Sequence, residues 1–297
     1  YSSTNTLTST SGNTTLTNTY NGTGSLRQAY LGAGWEPIKG LAVGANVSYM
    51  WGDIDRKFVN SYSDASVSTL TQQFTADIRT FKLDFGAQYT AKLSAEENIT
   101  LGVTFSPAHK IGGHPELKKI LTNSQTSVSD TTSYGGGFDL SLPNTFGVGV
   151  MWSHNDKLKL GADYTLQQWA NVQFPTFETV SGSLRDDQFS DRHKITLGGE
   201  YCPSAFSRKF FNRIHYRAGV SYATPYIKVN GNDGPTEISA SVGFGVPIIN
   251  VFNNRSFLNV SAQWAHSSAK NFISENVFRI SVGLTFNELW FSKWKLE

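Results

Sequence analysis

LPNTFGVGVMWSHNDKLKLGADYTLQQW, residues Leu142–Trp169, is the stretch that decides the fold class. Two alternating runs face each other across the polar turn Ser153-His154-Asn155-Asp156-Lys157. In the second run Leu158, Leu160, Ala162, Tyr164 and Leu166 alternate with Lys159, Gly161, Asp163, Thr165 and Gln167. A period of two sends the sets to opposite faces of a strand. One face is a continuous aliphatic and tyrosine stripe; the other holds glycine, hydroxyls, amides and both signs of charge. That is the profile of a wall between lipid and a wet lumen, which predicts a transmembrane antiparallel up-and-down β-barrel.

Composition fits this reading. Of 297 residues, only 16% are charged and the net charge is +2, so no bias toward nucleic acid exists. No apolar run approaches the roughly 18 residues of a membrane helix. The chain holds 27 Gly, 20 Phe, 12 Tyr and 7 Trp, as expected where half of each strand faces lipid and half faces water. A single cysteine, Cys202, excludes an internal disulfide and a zinc-type cluster. No leader-like segment opens the sequence, and because a barrel must be exported, the numbering is expected to begin inside a longer precursor.

In chain order, residues 1–24 form a Ser/Thr/Asn-rich tract almost free of charge, expected to be a structureless extracellular loop. Residues 25–297 are expected to be the barrel. Its strands are Ser25–Ile38, Leu41–Phe58, Thr69–Leu93, Ile99–Ile111, Thr131–Trp152, the run to Trp169, Asp191–Tyr201, Ile214–Tyr226, Ile238–Val246, Leu258–Trp264 and Phe278–Phe286. Gly112–Asp130 and Phe174–Ser190 read as long outer loops, and Asn230–Gly234 as a hairpin turn. Pro143 lacks a ladder donor inside a long strand and reads as a bulge or kink. Trp35, Trp152, Trp290 and Trp294 fall at one set of strand ends, and Trp51, Trp169 and Trp264 at the other, as in interfacial girdles. Eleven strands is an odd number, so at least one more is expected before Tyr1.

LP-x-T-x-GVGVMW followed by KLKLGADYTLQQW resembles the FadL family of outer-membrane transporters for long-chain fatty acids and other hydrophobic compounds. VGFGVPIIN and ENVFRISVGLTFNELWFSKWKLE resemble the end of that family's chain, so the likeness spans roughly residues 130–297. The resemblance implies fourteen strands and a luminal N-terminal hatch, hence about three strands and the hatch before Tyr1. The family's Asn-Pro-Ala hatch signature is not in this sequence. The resemblance further implies a bacterial outer-membrane location, outer-membrane lipid as neighbour, and a small hydrophobic ligand.

The candidate lumen residues are Lys82, Asp84, Asp163, Lys194, Glu200, His215, Arg217 and Arg279. They could hold a ligand headgroup such as a carboxylate; a mutually neutralising network that holds the wall together is the favoured alternative. The remaining inward positions are mostly Gly, Ser, Thr, Asn and Gln, so any apolar pocket must come from the hatch, the outer loops or the Pro143 kink. His109 and His114, near Glu116, have no metal-ligand spacing. No nucleophile stands at a spacing that pairs it with a base, and Gly135-Gly136-Gly137 reads as strand glycine rather than a phosphate loop. Arg208, Lys209, Arg213, Lys293 and Lys295, beside Phe210, Phe211 and Trp294, read as interfacial anchors. The sequence therefore predicts a non-enzymatic barrel without metal or cofactor that passes small hydrophobic molecules such as fatty acids. The alternative is a non-conducting structural subunit of a larger outer-membrane complex, an export or barrel-assembly machine.

Overall fold

The computed structural model describes residues 2–135, 139–176, 183–229, 231–249, 255–270 and 274–285. They are almost all strand: β1 Ser2–Ser11, β2 Thr14–Ile38, β3 Leu41–Tyr62, β4 Thr69–Lys92, β5 Glu97–Ser106, β6 His109–Thr122, β7 Ser129–Gly135, β8 Leu140–Leu142, β9 Thr145–His154 and β10 Leu158–Gln167. There follow β11 Phe174–Thr176, β12 Ser183–Arg185, β13 Arg192–Tyr201, β14 His215–Ala223, β15 Lys228–Val229, β16 Asn232–Asp233, β17 Thr236–Ile249, β18 Arg255–Ser268 and β19 Glu275–Thr285. The main sheet is antiparallel, in the order β1-β2-β3-β4-β5-β9-β10-β13-β14-β17-β18-β19, with β6, β7 and β8 attached beside β4. Among the described residues β1 and β19 remain its two open edges, so the sheet does not close on itself.

Each strand read from the sequence has a counterpart, and the corrections have physical causes. The uncharged tract of residues 2–24 is not irregular. It forms β1 and the first half of β2, joined by Gly12-Asn13, with Gly12 at φ 61°. A glycine with positive φ at the first central position of a two-residue loop is a hairpin turn matched to strand twist. Threonine is β-branched and favours strands, and here it pairs across them as Thr6 with Thr19, Thr8 with Thr17 and Thr10 with Thr15. Gly112–Asp130 is likewise not a loop: β6 and the start of β7 occupy most of it.

Thr131–Trp152 is not one strand either. It divides into β7, β8 and β9, with the buried Pro143 between β8 and β9. A second proline, Pro107, breaks the facing strand between β5 and β6, and the Asn144 side chain bridges the two kinks by accepting from the Ala108 N–H at 2.8 Å. Direction survives both breaks, because β6 is antiparallel to β8 and β5 to β9. Trp35 and Trp152 thus stand at one end of the sheet, and Trp51, Trp169 and Trp264 toward the other. Trp290 and Trp294, with Lys293, Lys295, Gly136 and Gly137, lie outside the described residues.

Strand lengths separate two layers. A membrane-crossing strand needs about 9–11 residues; β2 has 25, β3 22 and β4 24. Their upper halves, with β1, β6 and β7, make a tall sheet that continues the wall. In the lower layer the apolar stripe is exposed: Leu101 54%, Val220 53%, Val242 55% and Ile280 78%. An apolar face of this extent matches a lipid neighbour rather than water. The opposite face carries the polar set, and on β3 and β4 it holds the buried side chains Ser48, Ala76, Ile78 and Thr80.

The facing can be tested by charge insertion. Val242→Arg is expected to cost roughly 2–4 kcal/mol of sheet stability in bilayers if the site lies near the midplane, whereas Ser241→Arg, one residue away on the opposite face, costs much less. Urea unfolding in lipid vesicles measures both; the reverse order would mean that the faces are exchanged.

Candidate functional site

Polar side chains on the inner face need room, and neighbouring glycines give it. A Cβ on Gly149 would sit 2.3 Å from Asp163 Oδ1, and one on Gly147 would sit 2.3 Å from Thr104 Oγ1. The inward carboxylate and hydroxyl lie sideways across the adjacent strand. Two grooves follow from this packing. The larger, ≈ 820 Å3, is lined by Gly32, Gly44, Gly86, Gly102, Asn46 and Asp84, among others. The second, ≈ 490 Å3, shares Gln88 and Gly102 with the first and runs past Asp163 and Lys159 to Glu200.

The larger groove ends at a fault in the wall. β4 pairs with β5 from Phe85 downward and with β6 from Ile78 upward. Arg79–Asp84 therefore have a ladder partner on the β3 side alone. The cause is Pro107: the facing strand kinks there, and Gly112 and Gly113, both at positive φ, lead it back into register. Side chains bridge the fault from within. Lys82 pairs with Asp84, the Ser106 hydroxyl donates to Asp84, and the Thr80 hydroxyl donates to the Lys110 carbonyl at 3.4 Å. Phe81 and Leu83, exposed at 66% and 40%, stand on the outer side.

Lys82 and Asp84 thus meet at the fault, and Glu200, His215 and Arg217 meet at a second centre. Arg217 Nε lies 2.6 Å from Glu200 Oε2, His215 Nδ1 3.1 Å and Lys159 Nζ 3.6 Å from Glu200 Oε1. Arg217 also donates to Asn259 Oδ1 at 2.8 Å. One carboxylate therefore faces two cations and an imidazole. The other three candidates stay apart: Asp163, Lys194 and Arg279 make no ion pair among the described residues. Asp163 stands opposite Gly149 and Thr196, and Arg279 stands on the edge strand opposite Gln263.

The sequence reading missed the mouth. The segment after β10 crosses the inner face, and Phe174 stacks on Phe74 of β4 at 6.3 Å. From there rings continue without a gap: Phe174 to Phe189 at 5.8 Å, Phe189 to Trp169 at 5.5 Å and Trp169 to Tyr226 at 5.1 Å. Arg192 lies over Tyr226 at 5.5 Å and pairs with Glu237 at 3.1 Å. In the same segment the Arg185 guanidinium donates to Asp187 and holds its carboxyl below the usual range. Phe74 and Phe174 are 100 positions apart in sequence, so only the count of aromatics in Trp169–Phe189 could have hinted at the cluster. His109 and His114 both lie on β6, and no group of three or more metal-capable side chains occurs among the described residues.

Glu200 is the hub of its centre, so Glu200→Gln leaves three nearby cationic or cationisable groups unopposed. The expected cost is roughly 1–2 kcal/mol, discounted because Arg217 is 43% exposed. Lys159→Ala at the 3.6 Å contact should cost less. Urea titration followed by heat-modifiable gel mobility reads both.

Comparison with solved structures gives a FadL-type barrel fold. The CymD monoaromatic hydrocarbon channel matches with a TM-score of 0.60 at 14% identity, over 97% of this chain and 82% of that one. A Pseudomonas aeruginosa FadL homologue matches with a TM-score of 0.56 at 12% identity, over 86% and 67%. The Ralstonia pickettii toluene transporter TbuX matches with a TM-score of 0.52 at 14% identity, over 94% and 80%. No curated protein matches the sequence. One family, BamG, matches residues 1–297, the full length of the sequence, and the chain belongs to the BamG family.

Proposed function

We propose that this chain is the wall of a closed outer-membrane barrel, completed by strands beyond those described, that passes small hydrophobic molecules. The observation that carries the reading is the fault at Arg79–Asp84. A spanning sheet in lipid pairs its backbone groups, yet here six residues of a central strand lack a partner on one side. The fault has Phe81 and Leu83 outside and opens inward onto the ≈ 820 Å3 groove. A molecule that partitions between the aromatic mouth and the bilayer has a route through the wall at this place. The inner face is polar and narrow in apolar area, which favours small solutes over tight retention: each buried methylene contributes about 0.8 kcal/mol, and glycine and threonine walls bury few of them. The names of two structural neighbours, a monoaromatic hydrocarbon channel and a toluene transporter, agree in kind. The chain reads as a non-enzyme, with the tall sheet and the mouth on the extracellular side.

A second reading rests on the family match itself. BamG is a family related to barrel assembly. The Glu200 centre holds adjacent strands by paired charge and leaves little to bind a hydrophobic ligand. On this reading the barrel is a structural subunit of an outer-membrane assembly complex, and the tall sheet offers partners a surface beyond the bilayer.

The two readings separate in one experiment. Cells that carry or lack the protein are given a labelled fatty acid and labelled toluene, and the solubilised protein is analysed for co-purifying outer-membrane subunits. Passage predicts faster uptake with the protein present, and a fall when Ser106→Trp fills the fault while heat-modifiable mobility stays native. Unchanged uptake of both labels, with partners recovered in fixed ratio, establishes the structural-subunit reading instead.

A further inference from the structure

The tall sheet has an inner face of its own, distinct from the fault and from the charged centre below. Cross-strand register fixes which side chains share it. One row reads Asn5, Tyr20, Phe58, Gln72 and Lys119; the next reads Ser3, Gly22, Arg56, Phe74 and Leu117. All of these but Lys119 line a groove of ≈ 420 Å3, within the range of about 300–1,000 Å3 typical of small-molecule sites. Its floor is the Tyr20–Phe58 pair, with ring centroids 4.9 Å apart and planes tilted by 34°. Tyr20 is 46% exposed, so a ring face is open to a ligand. One step along the same face Asn60 donates to Asn18 at 2.9 Å, which orients those two amides. The Asn5 and Gln72 amides, the Arg56 guanidinium and the Tyr20 hydroxyl make no hydrogen bond among the described residues. No carboxylate lines the groove.

We propose that this groove binds saccharide. A pyranose ring has one face of C–H bonds with small positive partial charge and a rim of hydroxyls that both donate and accept. An open aromatic face carries the negative side of its quadrupole, which suits the C–H face. Amides offer both donor and acceptor, which suits the hydroxyl rim. An alkyl chain fits the same space poorly, because it would strand the amide and guanidinium groups away from water without partners. The Arg56 cation, with no acidic lining residue, extends the preference to sugars that carry phosphate or carboxylate. The site shares Phe74 with the aromatic mouth, but saccharide binding there does not require that the barrel conduct.

The test probes the full-length protein in detergent on a printed glycan array that includes neutral free oligosaccharides, acidic oligosaccharides and lipopolysaccharide, with a dodecyl-chain probe as the apolar arm. Binding to one saccharide group is expected. Phe58→Ala should weaken it roughly tenfold, about 1.4 kcal/mol, while Phe58→Tyr keeps it. Gln72→Ala should weaken it by a smaller factor, with native heat-modifiable mobility for every variant. Retention of free oligosaccharides identifies soluble glycan as the source, and retention of lipopolysaccharide alone, lost in Phe58→Ala, identifies the outer-leaflet glycolipid. No saccharide bound, binding indifferent to Phe58→Ala, or preference for the dodecyl probe overturns the proposal.

Discussion

Backbone pairing in a medium without water is the constraint on which the rest depends. Each N–H and C=O inside a bilayer must find a partner within the protein, and an antiparallel ladder of strands achieves this if its neighbours are continuous. Once that ladder is required, the side chains have two faces and no third option. The chain answers with apolar residues on one and glycine, hydroxyl, amide and paired charge on the other. The exposed Leu, Val and Ile stripe and the polar inner grooves are therefore consequences of one geometric fact, the period of two.

The departures from that ladder are then the informative places. Pro107 and Pro143 stand on adjacent strands at the same level, and each removes a donor that the ladder would use. Their kinks are coupled, because Asn144 accepts from Ala108 across the break. The local consequence is six positions on β4 without a ladder partner on one side, bridged by Ser106, Asp84, Lys82, Thr80 and the Lys110 carbonyl. Side chains at such a junction can exchange partners at low cost, whereas a ladder of backbone bonds cannot. The Glu200 centre has the opposite character: one carboxylate shared among Arg217, His215 and Lys159 fixes three strands in register.

Above the membrane layer the same strands continue under different rules. Water can satisfy the backbone edge there, so β1 is tolerated with every residue exposed and no charge on it. Threonine pairs replace the aliphatic stripe. Rings gather on the inner face, and the segment after β10 reaches across to meet them through Phe74 and Phe174. The mouth and the wall thus share a strand, β4, which also carries the fault.

Much of the fold was legible in the sequence because alternation is a local signal: Leu158–Gln167 states its two faces without reference to any neighbour. That Asp84, Asp163, Glu200 and Arg217 share the polar face follows from the same parity. Residues 2–24 misled because both faces of that segment are polar, so alternation vanishes there and only the turn at Gly12-Asn13 remained to be read. Gly112–Asp130 misled because the Gly112-Gly113 pair and the charges at Lys118 and Lys119 read as a loop, while β4 and β7 recruit the segment as a strand, with the two glycines at positive φ. Which charges meet could not be read at all. Glu200 finds Arg217 and Lys159 because register sets them directly opposite, and Asp163, of the same parity, is set by that register opposite Thr196 and Gly149. The sequence by itself determined the two faces and the strand series, since these depend on spacing along one chain. The tertiary structure decided the fault, the shared carboxylate and the aromatic mouth, since these depend on which distant strands pair and where a proline interrupts them.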